Sequence, residues 1–166
     1  MLTSIPTINE AKKAEEYDKL WLGCQMFVVG AGNVSKLLWG AGPQRAQIAA
    51  TRVDLRASLQ VEDDSPLYSL DLRNHFEHFD ERIDRWWREN QSPDGEQPNY
   101  VDRAIGPSGA FPVGRTEEFR VYDPSGPSIF FWGERYDLQP IASECVKIFD
   151  LGVAALRIPG ASDAAS

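Results

Sequence analysis

Basic residues are in short supply. Lys and Arg number 17 against 25 Asp and Glu, a net charge of −8. A surface that coats nucleic acid needs clustered cations, so that class of function is excluded, although one local basic site is not. Cysteine is scarcer still: Cys24 and Cys145 stand far apart, with no CxxC pair. They exclude a disulfide framework and read as reduced thiols of a reducing compartment, which predicts a cytoplasmic protein. No apolar run approaches the ~18 residues of a membrane-spanning helix, so no membrane association is expected; the richest stretch is Met26–Val29. Met1–Glu10 lacks a basic start followed by an apolar block, so no signal peptide is expected. HExxH and paired Glu-x-x-His motifs are both missing, so neither a metal nor another cofactor is predicted.

What is present suffices for a single domain: 166 residues, 42% of them hydrophobic. The domain is expected over 1–158, with a β-insertion at about 100–136 and a frayed tail at 159–166. Thr7 and Glu10 fit the S/T-x-x-E capping box and predict a first helix from there to about Trp39. Leu20, Cys24, Phe27, Val28, Ala31, Val34 and Leu38 recur at helical spacing along it. Gly23, Gly30 and Gly32 each disfavour a helix by up to ~1 kcal/mol, which points to another helix approaching closely. After the break at Gly40–Pro43, a second helix is predicted to about Leu59, with Ile48, Val53 and Leu55 facing in. Ser65 as cap and Pro66 as first residue open a third helix that runs to Glu89. Its Leu72, Phe76, Phe79, Ile83 and Trp86 alternate four and three residues apart, a stripe that a helix makes and a strand cannot.

Asn90–Asn99 is polar, with Pro93, Gly95 and Pro98, and reads as a loop. The pattern then changes. Phe119–Tyr122 and Ile129–Trp132 are β-rich runs around Asp123-Pro124-Ser125-Gly126, which is hairpin chemistry, and Tyr100–Ile105 offers a third strand. A fourth helix is predicted over Leu138–Leu156, with Ile141, Cys145, Ile148 and Phe149 inward. The fold class is therefore mainly α: a four-helix bundle with a hairpin of two or three short antiparallel strands inserted before the last helix.

Both histidines of the chain fall in one hexapeptide, Arg73-Asn74-His75-Phe76-Glu77-His78. It resembles the Arg-Asn-x-x-x-His signature of the HEPN superfamily, over six residues of 166. The resemblance implies a small helical bundle. It also implies, as in many members, a metal-independent endoribonuclease of toxin or defence systems; other members are non-catalytic. It further implies a site at the interface of a homodimer. The chemistry can be argued from the residues alone. Cutting RNA without a metal makes the 2′-hydroxyl the nucleophile, so a base must take its proton and the phosphate charge must be stabilised. His78 suits general acid–base work, since a free imidazole titrates near 6.5. Arg73 suits the phosphate, Asn74 can orient either group, and His75 is a candidate helper. At about 100° per residue Arg73 and His78 lie roughly 140° apart on a regular helix, whereas Asn74 and His78 share a face.

Other readings compete. Asp71, His75, His78, Arg82 and Arg85 form a polar stripe of the kind that usually meets solvent, with Asp71–His75 and Glu81–Arg85 as helix pairs. His75, Glu77, His78, Asp80 and Glu81 are metal-ligand types without ligands from a facing helix. Val28–Ser35 looks like the start of a dinucleotide fingerprint, with Asp54 downstream, but the strand it requires is replaced by helical pattern. Trp86, Trp87, Tyr122, Phe130, Phe131, Trp132 and Tyr136 could cover the core or form a surface for a partner, and an exposed Trp87 would favour an interface. Two functions follow. One is an endoribonuclease acting on an RNA substrate, with a protein inhibitor or partner. The other is a non-catalytic helical module that binds a protein through the aromatic hairpin or the polar stripe of the third helix. The enzyme needs Arg73 and His78 exposed in a shared cleft, within one chain or across a dimer. The binding module tolerates either being buried or paired on its own helix.

Overall fold

The computed structural model describes residues 2–69, 71–91, 99–107, 109–110 and 116–156. The expected tail at 159–166 and most of the Asn90–Asn99 loop lie outside them. The chain is mainly helical with some strands, in the order α1 (Ser4–Ala14), α2 (Tyr17–Trp39), α3 (Arg45–Ala50), α4 (Val53–Ser58), α5 (Asp71–Glu77), α6 (Phe79–Glu89), β1 (Asn99–Val101), β2 (Ala104–Ile105), β3 (Thr116–Glu118), β4 (Arg120–Asp123), β5 (Ser128–Phe131), β6 (Glu134–Asp137) and α7 (Leu138–Leu156). Among the described residues no helix is long and apolar enough to cross a membrane.

Three of the four expected helices are divided. The first begins at Ser4 rather than Thr7 and stops at Glu15, whose φ of 57° is left-handed. The Glu16 N–H reaches back to the Ala11 carbonyl at 2.9 Å, a helix-ending bond that normally recruits glycine. The chain then folds back, and α1 meets α2 where a Cβ on Gly23 would stand 2.8 Å from Ile8. The second helix splits at Thr51–Arg52 into α3 and α4. The split presents two guanidinium groups to the C-terminus of α2. Arg52 donates to the Lys36 and Leu37 carbonyls at 2.5 and 2.6 Å. Arg56, 7% exposed, donates to Leu38 and Ala49. Leu37 and Leu38 lie in the last turn of α2, where carbonyls lack intrahelical partners and cations are favoured. Val53 and Leu55, expected inward, are exposed as a result. The third helix starts at Asp71, not Pro66. Ser65 caps only a turn, accepting the Leu67 N–H, while Ser69 accepts that of Asp71. It bends at His78, where φ and ψ are −108° and 31°. The fourth helix has the predicted limits, but Phe149 is exposed where it was expected inside.

The hairpin forms with Tyr122 opposite Ile129, and the Asp123 carboxylate accepts the Ser125 N–H in the turn. β6 extends it antiparallel to β5, giving a sheet in the order β2-β4-β5-β6. The remaining pairings are parallel, against the antiparallel expectation: β2 with β4, and β1 with β3 in a separate two-stranded sheet. The segment read as one strand, Tyr100–Ile105, is broken at Arg103, which has a φ of 58°. Beside it Asp102 holds the Arg120 guanidinium through two bonds. Tyr122 and Ile129, on the helix-facing side of the sheet, join Leu20, Trp21, Cys24 and Phe27 in one core cluster. A second cluster gathers Leu38, Trp39, Val61, Leu67 and Cys145. Both cysteines are buried and free, and burial pushes each thiol up to about 12.

Candidate functional site

Arg73, Asn74 and His75 face different directions around α5, and His78 stands at the bend that follows it, so the four meet different surroundings. The stem of Arg73 lies on Gly32 of α2, so close that a Cβ there would overlap Arg73 Cδ. Its guanidinium is ion-paired with Glu77 one turn along, contacts the Asn74 side-chain oxygen at 3.3 Å, and is 14% exposed with the rest of its side chain. Asn74 is half-buried. His78 stands out into solvent, with a 3.3 Å contact from Nδ1 to Glu81. The pairs on this helix are thus Arg73–Glu77 and His78–Glu81. The expected Asp71–His75 and Glu81–Arg85 pairs are not among the hydrogen bonds and ion pairs of the described residues.

His75 turns the other way, onto the sheet. Its ring stacks on Phe131 at 4.4 Å between centroids and 18° between planes. Tyr136 donates its hydroxyl proton to Glu134 at 2.6 Å. The same hydroxyl oxygen therefore accepts from His75 Nε2–H at 2.8 Å, which assigns the proton to Nε2. Nδ1 is then the bare nitrogen, and it is buried without a hydrogen-bond partner. Burial, reinforced by the positive charge of Arg82, holds the imidazole below its usual 6.5, although Glu134 pulls the other way. His75 is thus a neutral ring that ties α5 to β6. One nitrogen is spent and the other enclosed, a poor arrangement for taking a proton from a substrate.

Stability follows from this shift. Between the lowered folded value and about 6.5, the unfolded chain is protonated at His75 and the folded chain is not, so falling pH favours unfolding. Acidifying from about pH 7.5 to about pH 5 is expected to cost the wild type more stability than a His75→Gln variant, read by urea denaturation at each pH. A variant that follows the wild type step for step would show that His75 titrates as it does in water.

Beside His75 a cleft of about 460 Å³ opens between α6 and the β5–β6 turn. Arg82, Arg85 and Trp86 form its helical wall; Phe131, Trp132 and Glu134 form much of the other. Arg82 lies over the Phe131 ring at 5.8 Å. Neither Arg73, Asn74 nor His78 lines it. The sequence had marked Arg82 and Arg85 as a polar stripe and Trp86, Trp132 and Tyr136 as aromatics in need of a role. It did not mark Glu134 or Glu117, which also line the cleft or support it. The available signal was strand alternation, which places Glu134 and Tyr136 on one face of β6. Trp87 is 44% exposed. Among the described residues, no three His, Cys, Asp or Glu side chains gather as a metal-ligand set. The Val28–Ser35 run lies within α2, where Gly32 serves the contact with Arg73. Comparison of the chain with protein-family models, with curated proteins and with solved structures gave no match.

Proposed function

We propose that the chain is a non-catalytic binding module, its helices bundled against the inserted sheet, which receives a segment of a protein partner in the cleft between α6 and the β5–β6 turn. One observation carries this reading. The cleft sets the guanidiniums of Arg82 and Arg85 and the carboxylates of Glu89 and Glu134 around the half-buried indole of Trp132. An aromatic surface beside a few convergent polar groups is the usual composition of a ligand site. The motif residues agree: Arg73 is held on its own helix by Glu77, as a binding module tolerates. The reading is tested by titrating protein labelled with ¹⁵N at its indoles with pools of short peptides. The Trp86 indole resonance is expected to move, and to stay still in Arg82→Gln. If no pool moves it, or if the variant responds equally, the cleft is not a binding site.

A second reading keeps the endoribonuclease and rests on His78. Its side chain is 54% exposed at the bend, a few residues beyond the Arg73–Asn74 contact. An exposed imidazole can serve as general acid or base for an RNA 2′-hydroxyl if a second copy of the chain brings an arginine to it. That reading requires a homodimer.

A further inference from the structure

The cleft is walled by charges of both signs. Arg82 and Arg85 come first along α6 and Glu89 follows four to seven residues later, about 6–10.5 Å farther along the axis at the helical rise. Glu117 adds a second carboxylate, on the strand residue paired with Tyr100, whose ring meets Trp86 at 5.9 Å. With Glu134 the lining holds three carboxylates against two guanidiniums. Such a lining does not draw a polyanion, so an RNA backbone is a poor match.

Strain marks the opposite rim. Trp132 and Gly133 alone join β5 to β6, with φ of 54° and 81°. A two-residue link with both φ positive favours Asn or Gly at its first position, and a bulky residue there is an outlier. Strain kept at such a place is a reason to look for function. Here it sets an indole on the cleft.

We infer that the cleft takes an extended peptide segment carrying an acidic and a basic side chain two residues apart, the acid against Arg82 and Arg85 and the base against Glu89 beside the indole of Trp132. Side chains two apart in an extended chain share a face and lie about 6.6–6.8 Å from each other, within the span between the charges on α6. The guanidiniums give a carboxylate its donors, and the aromatic face of Trp132 favours a cation. This deepens the binding reading and rests on it.

The test is calorimetric titration with the peptide acetyl-Ala-Glu-Ala-Lys-Ala-amide and two controls, one with Gln for Glu and one with norleucine for Lys. The parent is expected to bind saturably and each control at least about tenfold more weakly, the loss of one charge-assisted bond. In Arg82→Gln the parent and the Gln peptide should bind alike; in Glu89→Gln the parent and the norleucine peptide should. Trp132→Gly should weaken all three. Equal binding of parent and controls overturns the inference, and so does inorganic phosphate binding as tightly as the parent. If the parent fails while peptide pools still move the Trp86 indole, the inference falls and the binding reading stands. If no pool moves that indole, both fall.

Discussion

Replacing Phe119 with alanine is expected to cost about 3–5 kcal/mol, a large share of the roughly 5–15 kcal/mol that holds a domain of this size folded. Phe119 is 1% exposed and lies between β3 and β4. Its ring meets Trp132 at 4.8 Å, Trp86 at 5.1 Å, Tyr100 at 5.3 Å and Phe79 at 6.0 Å. Its backbone serves both sheets, donating to the Val101 carbonyl and accepting from the Trp132 N–H, each at 2.9 Å. No small movement refills the space, because its neighbours sit on three separate elements. The same ring backs both indoles of the cleft, so the variant should lose ligand response as well as stability. Phe119→Leu keeps most of the volume and is expected to cost less than half as much. Urea denaturation of the three proteins decides the matter. A loss below about 1 kcal/mol in Phe119→Ala would mean that the aromatic cluster is not packed as a unit.

The second large effect concerns the motif arginine. Gly32→Val is expected to cost about 2–3 kcal/mol. A Cβ at this position meets Arg73 not only at Cδ and Cγ but also at Cβ, 3.1 Å away. Arg73 Cβ is fixed by the α5 backbone, so swinging the end of the side chain aside does not relieve the contact. Arg73→Ala removes the two nearest of these atoms. The double variant should therefore be more stable than the two single losses sum to, by at least about 1 kcal/mol, as contacting residues show in a double-mutant cycle. Strictly additive losses would mean that Arg73 stands clear of α2 and is free to meet a phosphate.

The sequence disclosed those parts of the fold that depend on local pattern. Helix α7 occupies Leu138–Leu156 as read, and the β4–β5 pair lies within one residue of its expected limits. The breaks were hidden for physical reasons. Glu15 ends α1 in a conformation usually announced by glycine. The α3–α4 split serves carbonyls on α2, a tertiary purpose that no window along the second helix can display. Parallel pairing of β2 with β4 depends on where an intervening stretch returns the chain. The cleft was legible in halves. The polar stripe and the aromatic runs both stood out, but that they face each other was not readable. The bond from His75 to Tyr136 spans 61 residues. The motif itself suggested catalysis because it holds both histidines. Its members are separated by their directions around α5, with Arg73 on Gly32 of α2 and His75 on the sheet, and by the bend at His78.

The most direct test of the claim that this helix binds rather than cuts is incubation of a mixed panel of structured and unstructured RNAs with the purified chain in EDTA, beside a His78→Ala control. Wild type and variant are expected to leave the RNA equally intact and to unfold at nearly the same temperature. Cleavage that requires His78 and leaves 2′,3′-cyclic ends would contradict it and establish the endoribonuclease in its place.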